Sequence, residues 1–233
     1  MKVAIIQCDA VLNELIAEFG DYTDMIKRMF EAVDADLEYR IFDARQGVYP
    51  QNIDAFDFYI TTGSKAGVYE DSPWIRTLIE FVQVLDDKRK KLIGICFGHQ
   101  VIAMARHGQV EKSPKGWGVG VSRNRIIAYP AWMKAPKEEL NIIVSHQDQI
   151  TRLPAGSLVI ATSDFCPYFI VQWGNHFLSI QGHPEWRREY SRALMNRRRD
   201  SLGAEVTDAG LASLVVEPDN AVFTRWILDF VTG

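Results

Sequence analysis

Three side chains in this sequence have the types and spacing of a nucleophilic hydrolase. Cys96 follows the apolar run Leu92–Ile95, which reads as a buried strand, and a helical pattern through Val101, Ile102, Met104 and Ala105 begins directly after it. Gly94 and Gly98 lie two residues before and after the cysteine. A nucleophile on a sharp strand-to-helix turn needs that arrangement, because side chains at those two positions would clash. The turn would aim the sulfur out of the sheet at a helix N-terminus, where partial positive charge favours the thiolate. Further along, Phe177–Gln181 reads as another strand and runs into Gly182-His183-Pro184-Glu185. A histidine at one strand end can reach a cysteine at a neighbouring one. A carboxylate two residues on can hold the other imidazole nitrogen and fix its tautomer. Cys96 is therefore the expected nucleophile, His183 the base and acid, and Glu185 the orienting group.

Two loops are candidates for the rest of the site. Thr62-Gly63-Ser64 ends a predicted strand, Phe56–Thr61, with small residues whose backbone N–H groups could face an oxyanion; a simple turn is the alternative. Ser145-His146-Gln147-Asp148-Gln149 is dense in polar groups at another strand end. It reads either as a substrate-recognition loop or as a turn capping that strand. Cys8, Cys166 and His107 are expected to be structural or surface residues.

These residues must be positioned by elements of both kinds. Strands are expected at Val3–Ile6, Leu37–Phe42, Val119–Ile127, Ile142–Ser145 and Leu158–Thr162. Helices are expected over about 22–33, over 73–87 with Ser72 as N-cap and Pro73 at the first position, and at 221–231. The β-rich middle suggests a partly antiparallel extension of the sheet. From about Trp186 the chain reads as helical, and Arg187, Arg188, Arg192, Arg197, Arg198 and Arg199 suggest a basic face, either solvated or used for docking.

Size and composition are consistent with a single domain over residues 1–233. Of the 233 residues 47% are hydrophobic and 24% charged, as in ordinary globular proteins, and a net charge of −4 gives no reason to expect nucleic acid or anionic membrane as a partner. Three widely spaced cysteines suit a reducing compartment, and no zinc-type spacing is present, so no metal site is expected. The apolar N-terminal stretch is too short for a signal peptide, and a cytoplasmic location is expected.

With Gly94-x-Cys96-x-Gly98-x-Gln100 and His183-Pro184-Glu185 both in view, the chain resembles the class I glutamine amidotransferases, in particular the glutaminase domain of GMP synthase and its free-standing relatives. The resemblance implies an α/β fold, a three-layer flavodoxin-like sandwich with a mostly parallel central sheet. It implies a Cys96–His183–Glu185 triad, an oxyanion hole from the backbone N–H groups of Gly63 and Phe97, and substrate contacts from Gln100 and from Ser145, His146 and Gln147. No cofactor is implied. The implied reaction releases ammonia from glutamine through a γ-glutamyl thioester, for a separate synthetase. Two departures matter. Gln147 stands where GMP synthase has a glycine, and free-standing γ-glutamyl peptidases carry a Ser/Cys-His-Gln-Asp version of this loop. No pyrophosphatase loop or Gly-x-x-x-x-Gly-Lys loop is present either. A γ-glutamyl peptidase is thus the alternative enzyme, and an idle binding module on the same fold the alternative from another class.

Overall fold

The computed structural model describes all 233 residues. Its strands are β1 (Lys2–Gln7), β2 (Glu38–Asp43), β3 (Phe58–Thr61), β4 (Lys91–Ile95), β5 (Gln109–Lys112), β6 (Gly118–Ile126), β7 (Glu139–His146), β8 (Asp148–Arg152), β9 (Ser157–Thr162), β10 (Ile170–Trp173) and β11 (Phe177–Ile180). The helices are α1 (Asn13–Phe19), α2 (Tyr22–Glu31), α3 (Pro73–Asp87), α4 (Phe97–Ala105), α5 (Arg188–Arg197), α6 (Arg199–Leu202), α7 (Ala204–Ser213) and α8 (Asn220–Thr232). Nine strands form one sheet in the order β2-β1-β3-β4-β11-β10-β9-β6-β7, and β5 pairs with β8 separately. The run β2-β1-β3-β4-β11 is parallel throughout. From β11 to β7 the pairs are antiparallel. The α/β class and the mostly parallel central sheet are as expected, and so is the antiparallel extension.

Alternation along the strands builds the layers, because successive side chains point to opposite faces. Val3 and Ile5 of β1, Phe58 and Ile60 of β3, and Ile93 and Ile95 of β4 face α2 and α8, where Ile26, Phe30, Phe223, Trp226 and Phe230 meet them. Ala4, Ile6, Tyr59 and Leu92 face the other way, against Ile75, Leu78 and Val82 of α3 and Val101 and Ile102 of α4. Each buried side chain of this size contributes about 1.5–3 kcal/mol of transfer free energy. Parallel strands put their carboxyl ends on one edge. The pairings Thr61↔Gly94 and Ile95↔Ile180 bring the ends of β3, β4 and β11 level, where open α/β sheets hold ligands.

The differences from the sequence reading have local causes. α1 is short, and its apolar residues Leu15 and Phe19 are only partly buried, against the cluster that holds Val11, Trp186 and Tyr190. β5, β8 and β10 are short, and β8 begins inside the polar stretch taken as a loop: only Gln147 separates it from β7. Ser72 holds the cap position of α3, but its side chain makes no capping bond. The basic C-terminal stretch is partly neutralised by ion pairs. Its arginines are spread over several turns, and Arg188 pairs with Glu217, Arg197 with Glu14 and Arg199 with Asp208, while Arg198 turns inward.

Candidate active site

The elbow is strained, as its glycines predict. Cys96 has φ 50° and ψ −98°, outside the regions favoured by L-residues, and its N–H donates to Ile180 O at 2.8 Å. A Cβ on Gly98 would lie 1.6 Å from Thr61 Oγ1, and one on Gly94 would lie 2.8 Å from the Gly98 carbonyl oxygen. The missing side chain of Gly94 lets β4 close on α4, and that of Gly98 lets α4 close on the end of β3.

His183 and Glu185 follow the end of β11, the strand that pairs with β4. The His183 Nδ1–H donates to Glu185 Oε1 at 2.7 Å, leaving Nε2 as the nitrogen for the thiol. The imidazole stacks on Trp186 with centroids 3.7 Å apart and planes 12° apart, which locks its orientation. Burial opposes charging of His183, but the carboxylate of Glu185 and the sulfur of Cys96 outweigh it, and the imidazole titrates above its ordinary range. Both side chains are almost wholly buried.

Gly63 stands against the pair. A Cβ there would meet His183 Cε1 at 2.8 Å and Cys96 Cβ at 3.6 Å, so only a glycine lets the loop backbone come so close. The loop is clamped by Thr62, whose hydroxyl accepts from Cys8 N–H at 2.8 Å and donates to Gly63 O at 3.0 Å. Phe97 is the first residue of α4, where an N–H has no intrahelical acceptor.

The predicted substrate residues lie around a cleft lined by Cys96, Gln100, Ser145, His146 and Gln147. Gln100 Nε2 donates to Asp148 O at 3.0 Å and to Gln181 Oε1 at 3.1 Å. Gln181, which the sequence reading passed over, also brings its Nε2 to 3.6 Å from Cys96 Sγ. Its one sequence signal is a polar residue closing an apolar strand just before Gly182-His183. The His146 Nδ1–H donates to Asp148 O at 3.2 Å. Burial pushes its pKa down to about 4, so His146 is neutral at pH 7. Tyr69, Glu70, Lys112 and Trp117 also line the cleft and carry no signature in the sequence, and Arg198, expected only as part of a basic face, joins them. Cys8 and Cys166 are buried and do not line it, each thiol pushed up to about 12 by desolvation, and His107 is exposed at the end of α4. No group of three or more His, Cys, Asp or Glu side chains is placed to hold a metal ion. No helix is long and apolar enough to cross a membrane.

The chain as a whole is similar to known proteins. The family model for class-I glutamine amidotransferases matches residues 15–198. Gamma-glutamyl peptidase 3 of Arabidopsis thaliana is 29% identical over 229 residues, covering 92% of this chain and 90% of the relative. Gamma-glutamyl peptidase 5 of the same plant is 32% identical over 207 residues, covering 84% and 82%. A glutamine amidotransferase from Thermotoga maritima shares the fold, with a TM-score of 0.76 at 16% identity over 99% of this chain and 96% of that one.

Proposed function

The chain belongs to the class-I glutamine amidotransferase family, and we propose that it hydrolyses γ-glutamyl amide bonds through Cys96, His183 and Glu185, with γ-glutamyl peptides as its substrates. The observation that carries this reading is the oriented imidazole: Nδ1 of His183 tied to Glu185 at 2.7 Å, with its ring and a cysteine on a strained elbow both packed against Gly63.

The reaction follows from that geometry. The proton shared by the Cys96–His183 pair rests on the imidazole, which Glu185 and the sulfur hold charged, as Sγ attacks the γ-carbonyl carbon. The tetrahedral oxyanion is met by the backbone N–H groups of Gly63 and Phe97; in comparable sites one such donor is worth roughly 3–4 kcal/mol. His183 then hands its proton to the amide nitrogen, the C–N bond breaks, and the amine leaves. Water deprotonated by His183 attacks the thioester, and glutamate departs with the thiol restored. Gln100 and the Ser145–Gln147 segment hold the glutamyl α-amino and α-carboxylate groups.

The peptidase reading is favoured by the Ser-His-Gln-Asp sequence of the loop and by the relatives named gamma-glutamyl peptidases. A second reading, glutamine hydrolysis supplying ammonia to a separate synthetase, is supported by the family match and the likeness of fold to the Thermotoga protein. Parallel assays with glutamine and a γ-glutamyl dipeptide decide between them. Faster release of the amino acid from the dipeptide is expected, and preferential ammonia release from glutamine would favour the second reading. Cys96→Ala is expected to abolish both activities while remaining folded; turnover equal to wild type would sink the assignment. A glutamine-like chloroketone is expected to label Cys96 in the native protein and to leave Cys8 and Cys166 untouched. Absence of the Cys96 adduct would point to an idle module.

A further inference from the structure

Arg198 is the feature of the cleft that glutamine hydrolysis does not use. It caps the C-terminal end of α5, and its guanidinium carbon sits 4.5 Å over the Trp117 ring. Nη1 reaches Ser145 Oγ at 3.4 Å. Its neighbours in sequence, Arg197 and Arg199, are paired with carboxylates, whereas Arg198 has none within ion-pairing distance. Burial pushes its pKa down, so holding the charge there has a cost that an anionic ligand would offset. The guanidinium presents a fork of donors suited to a carboxylate, and the stacking on Trp117 limits its freedom.

Depth in the cleft separates two sub-regions. Cys96, Gln100 and His146 are 5%, 3% and 4% exposed and form the floor. Arg198 and Trp117 are only half-buried and stand at the rim. With the γ-glutamyl group held on the floor and its amide at Cys96, whatever is attached to the amide nitrogen extends toward that rim. The other basic side chains there are less constrained. Lys65 is 82% exposed and reaches toward Asp9 at 3.8 Å, and Lys112 is exposed on β5.

We propose that Arg198, backed by Trp117, binds the free carboxylate of the amino acid or peptide leaving from the γ-glutamyl group, and so selects γ-glutamyl peptides over glutamine. This rests on the hydrolase reading above and adds the chemistry of the leaving group: an α-amino acid with its carboxylate free.

The test compares kcat/KM for γ-glutamyl-alanine and γ-glutamyl-alaninamide, which differ only in that carboxylate. Within one preparation the ratio of the two values is independent of how much enzyme is active. Wild type is expected to prefer the free acid about 10- to 100-fold, the range for a charge-assisted hydrogen-bonded pair. In Arg198→Gln the ratio is expected to fall to about one, and in Arg198→Lys to recover in part. A ratio unchanged in Arg198→Gln, with both substrates losing equally, would overturn the proposal and leave Arg198 a structural or glutamyl-side role. A wild-type ratio near one would also overturn it, while leaving the hydrolase reading intact. Wild type cleaving neither dipeptide would overturn both. If Arg198→Gln is unfolded in a thermal scan, the ratio in Arg198→Lys decides alone: unchanged from wild type counts against, reduced counts in favour.

Discussion

Glu185 touches His183 and lies where no reacting atom need reach it. In the proposed mechanism its work is to hold one tautomer and to stabilise the imidazolium, whereas Cys96 and His183 form and break bonds. Glu185→Ala should therefore cost less than His183→Ala. In comparable triads, loss of the nucleophile or base lowers kcat by about 10⁶ and loss of the orienting acid by about 10⁴. Single-turnover rates of the three alanine variants would check this order; equal losses for Glu185→Ala and His183→Ala would contradict it. The three buried cysteines make the same distinction in another way. Cys8 and Cys166 sit where desolvation keeps the thiol protonated, while Cys96 alone shares its surroundings with an oriented histidine.

At the scale of elements, the β4–α4 elbow depends on a contact without side chains. A methyl group at Gly94 would press on the backbone of Gly98 at 2.8 Å and on Ile102 Cδ1 at 2.7 Å, and backbone cannot rotate out of the way. Gly94→Ala should cost about 1–3 kcal/mol by overpacking. In a chain of this length that lowers Tm by roughly 2–12 °C. Turnover should fall further than the loss of folded protein explains, because a shifted elbow moves Cys96 relative to Gly63 and His183. A thermal scan beside an assay at a temperature where the variant is folded would test this; an unchanged Tm and full turnover would mean that the elbow can adjust.

The molecule as a whole buries two histidines that must stay neutral. His99 is held by Ser179 at 2.7 Å and, through burial, has its pKa pushed down to about 3; His146 is pushed down to about 4. In the unfolded chain both take up protons near pH 6.5. Below that pH the unfolded state binds more protons than the native state, so stability is lost as pH falls from about 6.5 toward 4, each group adding up to about 1.4 kcal/mol per pH unit. His183 acts with the opposite sign and above this window: its raised pKa gives stability that is complete below 6.5 and is lost as pH rises through its folded value. Urea melts at pH 7, 5.5 and 4.5 should show falling stability, with a shallower slope in His99→Gln. Stability that is flat across this range would contradict the burial argument.

Much of the candidate site was legible because it is local in the chain. The glycines around Cys96 and the strand feeding it form one short run, His183-Pro184-Glu185 forms another, and short-range sterics dictate what the spacings within each can do. The apolar strands and the amphipathic α2, α3 and α8 were legible for the same reason, since each element's period is written into its own residues. What only the tertiary structure decided was contact across distant segments: Gln181 reaching both Gln100 and Cys96, Asp148 opening a strand, and Arg198 leaving its neighbours' ion pairs to lie on Trp117 in the cleft. Those outcomes depend on strand register and on how α5 packs beside β6 and β7. A polar residue carries no periodic trace of either, so the sequence by itself determined the glycine-flanked elbow at Cys96 and the His183–Glu185 run, and the packed fold determined what surrounds them.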